Sequence, residues 1–516
     1  MALKWMGGGK VDHPMADPKQ ARQIIAELPA NDAPKALADI TELLESINQT
    51  DGFKLERRFE NLDWLDSAAK NHQRKLAQDY LAMPRQQKFQ ENRLWTGVYG
   101  FWKQLGDGYA RCIADHESGA SGASTIRKSL PVIVARALRA LTLQLKWTLL
   151  RYGLVEARIW SELARLYRLA EEKGIADGVI AIYPGAHGEG TVKREFLKAM
   201  MLSASAPDGL PPVKQEIAER VVAHFAGSFR FSAKPDGCTH CFDLATPKAP
   251  ARLFKGAAPS ATLRFFGAGE ALAQLHQLAE QVTARGGIPQ DVNLGGNYDK
   301  ELVIGVLKQV SQYWSEKPPA RRSERRPAAG RITVVPGMTE ILGTLDPSAT
   351  DGLDFSAQST TTESWVVENF SDGGYGAIIP TQKSDWIKVG TLIGVQGEAA
   401  KHWGVGLIRR ISRDERQQRR VGIQLLTKTA IPIKVSKSSS LSNVSATREP
   451  QAAILLSTAP DAQGEVGVVM RDGAFNGRDT FDMTVRDKSY LLMPSTMVED
   501  GEDFDWAKFK VMQRSA

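Results

Sequence analysis

The stretch Asn369-Phe370-Ser371-Asp372-Gly373-Gly374-Tyr375-Gly376 lies between two apolar runs, Glu363-Ser364-Trp365-Val366-Val367 before it and Ala377-Ile378-Ile379-Pro380 after it. Short β-rich runs around a polar, Gly-rich tetrad read as two strands joined by a tight turn. Asn369 offers an amide and Ser371 a hydroxyl, while Gly373 and Gly374 let another molecule come close to the backbone. Such a turn is common, and alone it reads as a solvated hairpin. Upstream, however, the segment from Pro318 to Pro327 gathers Arg321, Arg322, Arg325 and Arg326.

Together these segments resemble the two ligand-binding signatures of the PilZ domain, the bacterial receptor for the second messenger cyclic diguanylate. The family pattern is RxxxR, then a strand, then (D/N)xSxxG on the next strand. Here RxxxR fits in two registers, Arg321/Arg325 and Arg322/Arg326, and the second signature fits at Asn369, Ser371 and Gly374. Further on, Trp403-Gly404-Val405-Gly406-Leu407-Ile408-Arg409-Arg410-Ile411 and Arg420-Val421-Gly422-Ile423-Gln424-Leu425 look like the paired late strands of that small barrel. The spacing between the two signatures exceeds the family norm, with Asp346 to Thr362 read as an inserted loop. The resemblance covers about residues 320–430 and implies a ligand set of Arg321, Arg322, Arg325, Arg326, Asn369, Ser371, Gly373 and Gly374.

The chemistry suits those residue types. Guanine O6 and N7 are adjacent acceptors that a planar guanidinium meets together, and the same fork grips phosphate oxygens. An amide such as Asn369 fits the remaining guanine edge, and Ser371 can donate to a phosphate or a base. In the family the arginine loop closes over ligand lying on the barrel and reorients the neighbouring domain, which is what the resemblance implies here.

At 516 residues the chain has room for two or three domains. A net charge of +7 over that length suggests local basic patches and argues against a protein that coats nucleic acid. Three cysteines, Cys112, Cys238 and Cys241, cannot build a disulfide framework, which points to a reducing compartment. The first residues show no apolar signal segment, and the most apolar helix candidate, Leu130 to Leu150, carries Arg136, Arg139 and Lys146. Charges there are costly in lipid, so the expectation is a buried helix in a cytoplasmic protein.

The fold class expected is α+β multidomain: an irregular helical domain, then a PilZ-like antiparallel β-barrel with additional C-terminal strands. Residues 1–20 read as disordered, 21–227 as the helical domain, and 228–316 as a mixed α/β segment ending in helices. An Arg/Pro linker over 317–332 leads to the barrel over 333–430 and a β-rich extension over 431–516, either a second small barrel or extra strands packed on the first, so that almost everything past the linker looks β. Leu37, Ile40, Leu44 and Ile47 follow an Asp32-Ala33-Pro34 start at helical spacing. Leu94, Trp95, Val98, Phe101, Trp102 and Leu105 make an aromatic stripe that reads as core before it reads as a partner groove.

Other signals carry less. Cys238-Thr239-His240-Cys241 lacks the second pair that a structural zinc site wants, and Gly185 to Lys193 lacks the ending of a phosphate loop. The run Arg409, Arg410, Arg413, Arg416, Arg419 and Arg420 reads first as a solvated hairpin tip and otherwise as an anion-facing or partner-facing surface. No catalytic residues, metal ligands or cofactor are indicated. The expectation is a non-enzymatic effector whose ligand is cyclic di-GMP and whose helical domain meets a protein partner. The competing readings are a scaffold with a barrel that binds no nucleotide, and a polybasic RNA- or membrane-surface binder.

Overall fold

The computed structural model describes residues 11–513 apart from 85–86, 186–187, 255–257, 320–322, 347–361, 381–385, 439–449 and 486–487. The chain divides into two compact units, Met1–Pro319 and Ala320–Ala516.

Helices dominate the first unit: α1 (Pro18–Ala26), α2 (Ala33–Gln49), α3 (Leu55–Ala82), α4 (Lys88–Glu117), α5 (Ala123–Ile126), α6 (Leu130–Leu149), α7 (Ala157–Glu172), α8 (Val192–Ala204) and α9 (Pro212–His224). Asp32 caps α2 by accepting from the Lys35 amide, and the spaced Leu37, Ile40, Leu44 and Ile47 are all buried. The stripe on α4 is core as well, with Leu94, Val98, Phe101, Trp102 and Leu105 buried. The expectation of disorder over residues 1–20 is corrected for its second half. Asp17 caps α1 through the Lys19 and Gln20 amides, and Met15 is fully buried with its carbonyl accepting from Asn61. Residues 1–10 lie outside the described residues.

A small hairpin, β1 (Ile180–Ala181) with β2 (Glu189–Gly190), precedes α8. Beyond α9, β3 (Arg230–Ser232), β4 (His240–Asp243), β5 (Ala251–Arg252) and β6 (Leu263–Gly267) form an antiparallel sheet ordered β3-β6-β4-β5, followed by α10 (Ala271–Arg285) and α11 (Lys300–Trp314). Phe229, Phe242, Phe266, Leu275, Val306 and Trp314 belong to the same buried core as the helices, so this segment packs into the helical domain.

Helix α6 is buried despite its charges because Lys146 and Arg136 find partners. Lys146 Nζ lies 2.5 Å from Glu216 and 3.0 Å from Glu219 of α9, and Arg220 reaches Glu216 at 3.2 Å. Arg136 pairs with Asp63 of α3 and donates to the Ile182 carbonyl at 2.9 Å. Burial pushes the Glu219 carboxyl up, but Lys146 and then Arg220 outweigh it and hold it at about 2. No helix among the described residues is long and apolar enough to cross a membrane.

The second unit contains two closed barrels. The strands β7 (Arg326–Pro336), β8 (Glu363–Ser371), β9 (Gly374–Ile378), β10 (Leu392–Gly397), β11 (Gly404–Arg413) and β12 (Arg419–Thr427) close in the neighbour order β7-β8-β9-β12-β11-β10. The strands β13 (Ile431–Lys437), β14 (Gln451–Leu455), β15 (Glu465–Arg471), β16 (Phe481–Val485), β17 (Lys488–Asp500) and β18 (Phe504–Gln513) close as β13-β14-β15-β18-β17-β16. Position by position these orders are the same, and every pairing is antiparallel. The C-terminal extension is therefore a second barrel of the same topology.

Two expectations for this region are corrected. The linker assigned to 317–332 ends early, since Arg326 already opens β7. The region past it is not all β, because α12 (Gly337–Leu345) stands between β7 and β8. Its Met338 and Ile341 are buried with Val335, Leu392, Val405 and Leu407 of the first barrel and Ile454, Val469 and Phe504 of the second, in one shared core. The second barrel also caps the helix, for Asp503 accepts from the Met338 amide at 2.7 Å.

Removing Lys146 leaves two buried carboxylates short of their shared cation. Lys146→Ala should lower the stability of the helical unit by about 3–5 kcal/mol, measured by denaturant unfolding. The depressed Glu219 carboxyl gives a pH signature with a definite sign. Its contribution is present above the ordinary glutamate value of 4.5 and lost as pH falls towards about 2. Glu219→Gln should flatten that part of the stability–pH curve.

Candidate ligand-binding site

Trp365 and Val367 of β8 are buried in the first barrel. Strict alternation would send Asn369 and Ser371 to the same inner face. It does not, because Glu368 is an extra residue between the register pairs Val367↔Ala377 and Asn369↔Gly376. This bulge resets the alternation and re-aims the rest of the strand. Asn369 and Ser371 consequently share the outer face with their partners Gly376 and Gly374.

On that face the glycines leave a floor. Gly376 pairs with Gly422 of β12, so two adjacent strands carry no side chain at this level. The Arg325 guanidinium lies over them. Its Nη1 donates to Asn369 Oδ1 at 2.8 Å, and the same Nη1 is 2.9 Å from where a Gly376 Cβ would stand. Its Nη2 is 3.9 Å from the corresponding point on Gly422. A side chain at Gly376 would push Arg325 and Asn369 aside.

Gly374 has a different reason to be glycine. Its φ is +155°, and a Cβ would lie 1.9 Å from the Ile423 carbonyl oxygen of the neighbouring strand. Gly373, one residue earlier, has nothing nearer than Ser323 Oγ at 3.7 Å. The turn is tied down at its edge, where Lys428 pairs with Asp372 at 2.9 Å. The hydrogen bond from Lys428 and its charge lower the Asp372 carboxyl, and Arg326 adds to the effect.

The structure thus separates the two arginine registers. Arg325 meets Asn369, whereas Arg326 is paired through the backbone with Phe370 and is exposed near Asp372. Arg321 and Arg322, and most of the inserted loop from Asp346 to Thr362, lie outside the described residues. Ser371, Gly373 and Gly374 sit on the turn beside Asn369. The run of arginines read as a hairpin tip divides. Arg409 forms a two-pronged ion pair with Glu499 of the second barrel at 2.7 and 2.6 Å, and Arg420 reaches Glu368 at 3.0 Å. Arg410 stands opposite Gly422.

Gly376, Gly422 and Arg410 were not among the residues the motif pointed to. Their signal is the cross-strand register, which a linear pattern does not hold. In the first unit, Cys238 and Cys241 flank His240, and burial is the main cause raising both thiols. Burial, then Arg252, lowers His240 to about 4. Raised thiols are poorly suited to act as thiolate ligands or nucleophiles.

Two family descriptions match the chain: "Cyclic-di-GMP receptor FimW, N-terminal domain" over residues 19–236, and "Cyclic-di-GMP receptor FimW, middle PilZ domain" over residues 349–432. The chain carries a PilZ domain of the FimW family. No curated protein matches it. The PilZ match begins downstream of Arg325, so the seating of that arginine on Asn369 is read from this chain's own geometry.

The two adjacent glycines of the turn should behave differently on substitution. Gly374→Ala drives a methyl into backbone and should destabilise the PilZ barrel by about 1–3 kcal/mol or more. Gly373→Ala should stay within about 0.5 kcal/mol of wild type. Thermal or denaturant unfolding of the two variants side by side checks the assignment.

Proposed function

We propose that the protein is a cyclic di-GMP-binding effector, with the ligand held on the outer face of the PilZ barrel by Arg321 and Arg325 together with Asn369, Ser371 and the Gly373–Gly374 turn. The observation that carries this reading is the Arg325–Asn369 hydrogen bond above a glycine floor. A guanidinium fork and an amide are held side by side over open backbone, the pairing that guanine edges and phosphate oxygens ask for. The family description of the PilZ region supports the same ligand.

Relay follows from where the arginines fall in the chain. Arg321 and Arg325 come directly after the division between the two units at Pro319 and Ala320. Ligand that orders this segment changes how the helical domain is held, and the helical domain presents the change to a protein partner. Such coupling requires that the ligand bind one arrangement more tightly than the other. The reading needs no covalent chemistry and no cofactor, and it places the protein in the cytoplasm.

Titration calorimetry with cyclic di-GMP tests the site. Wild type should bind, and Arg325→Ala and Asn369→Ala should each weaken binding by about 5- to 100-fold. No heat with the wild type would leave the scaffold reading standing. Binding that falls steeply with salt and does not distinguish cyclic di-GMP from other polyanions would favour the polybasic surface.

A further inference from the structure

The glycine floor has a second rim. Across the outer face of the first barrel the register runs Arg410↔Gly422↔Gly376↔Asn369, through β11, β12, β9 and β8. Asn369 stands at one end and Arg410 at the other. With neighbouring strands about 4.8 Å apart, the two glycine positions set these residues about 14 Å apart, and the Arg325 guanidinium lies over the glycines between them.

Arg410 is aimed there by the same device that aims Asn369. Ile408 pairs with the buried Ile423, so strict alternation would turn Arg410 inward. Instead Arg409 is an extra residue between the pairs Ile408↔Ile423 and Arg410↔Gly422. Arg410 therefore leaves the barrel on the face of Gly422, its Cβ 3.5 Å from where a Gly422 Cβ would stand. Two bulges on separate strands, at Glu368 and at Arg409, turn one polar side chain each towards the same row. Both bulges are pinned by ion pairs, Glu368 to Arg420 and Arg409 to Glu499. One bulge is a common irregularity of a barrel, whereas two that converge on a floor of paired glycines define a site with two rims.

We propose that Arg410 is a ligand-binding residue that takes the far phosphate of the cyclic dinucleotide, opposite the end held by Asn369 and Arg325. The inference rests on the receptor reading above and extends it. A cyclic dinucleotide carries two anionic phosphates, and Asn369 with Arg325 approaches the ligand from one side of the row only. Arg410 is carried by β11, so its contribution does not depend on the residues that join the two units.

The test is calorimetry with cyclic di-GMP on wild type, Arg325→Ala, Arg410→Ala and Arg410→Lys, with thermal melts of each ligand-free protein. Wild type should bind, Arg410→Ala should bind at least 5-fold more weakly with an unchanged melt, and Arg410→Lys should fall between them. If Arg410→Ala loses stability, Arg410→Gln is the comparison, and the same 5-fold loss is expected of it. Substitutions at Arg410 that bind within twofold of wild type, while Arg325→Ala is weakened, overturn the role of Arg410 and leave the receptor reading intact. A wild type that does not bind overturns both.

Discussion

A β-strand sends successive side chains to opposite faces, and this alternation is the constraint on which the site depends. Trp365, Val367, Asn369 and Ser371 have the same parity, yet the first pair must fill a core and the second pair must face outward. No regular strand can do both. The extra residue at Glu368 resolves the conflict within one turn of the pleat. The ion pair from Glu368 to Arg420 then gives the bulged residue a partner of its own. The bulge is thus part of the site, although no ligand atom need touch it.

The second barrel shows what happens when the same topology lacks this arrangement. On the strand pair that corresponds to β9 and β12, Gly467 of β15 faces Lys508 of β18. Lys508 is held by Asp461 at 3.1 Å and Glu465 at 3.3 Å. Leu456 and Trp506 close over Gly467, their atoms 3.1 and 3.4 Å from where its Cβ would stand. Leu456 and Trp506 stand over this glycine, where a guanidinium and an amide stand over Gly376. The second barrel instead supports the first. It contributes Phe504 and Val469 to the shared core, Asp503 to the cap of α12, and Glu499 to the Arg409 bulge.

The turn and its Asn–Ser–Gly spacing were legible in the sequence because a tight turn is local: its residues are determined within a few positions of one another. The helical face of α2 and the core stripe of α4 were legible for the same reason. The arginine register was not. Arg325 and Arg326 are adjacent and chemically identical, and only the pairing of β7 with β8, distant in sequence, separates a residue that meets Asn369 from one that does not. Bulges are equally silent, since an extra residue is extra only relative to a partner strand. Helix α12 was missed because its short apolar pattern, Met338, Ile341, Leu342 and Leu345, follows a strand and is completed by a cap from Asp503, far along the chain. The ordered segment before α1 was hidden by its glycine and proline neighbours, although one buried methionine and one aspartate cap hold it.

Arg325 is seated on Asn369 by a hydrogen bond within the barrel. A guanidinium carries its five N–H donors in one plane, and the bond to Asn369 holds that group over the paired glycines. On the receptor reading, a fork oriented in this way costs less to order on binding. A ligand shifts an equilibrium only through contacts that differ between its two states. In the proposed relay, a hydrogen bond that the barrel makes by itself is therefore not enough to shift the helical domain.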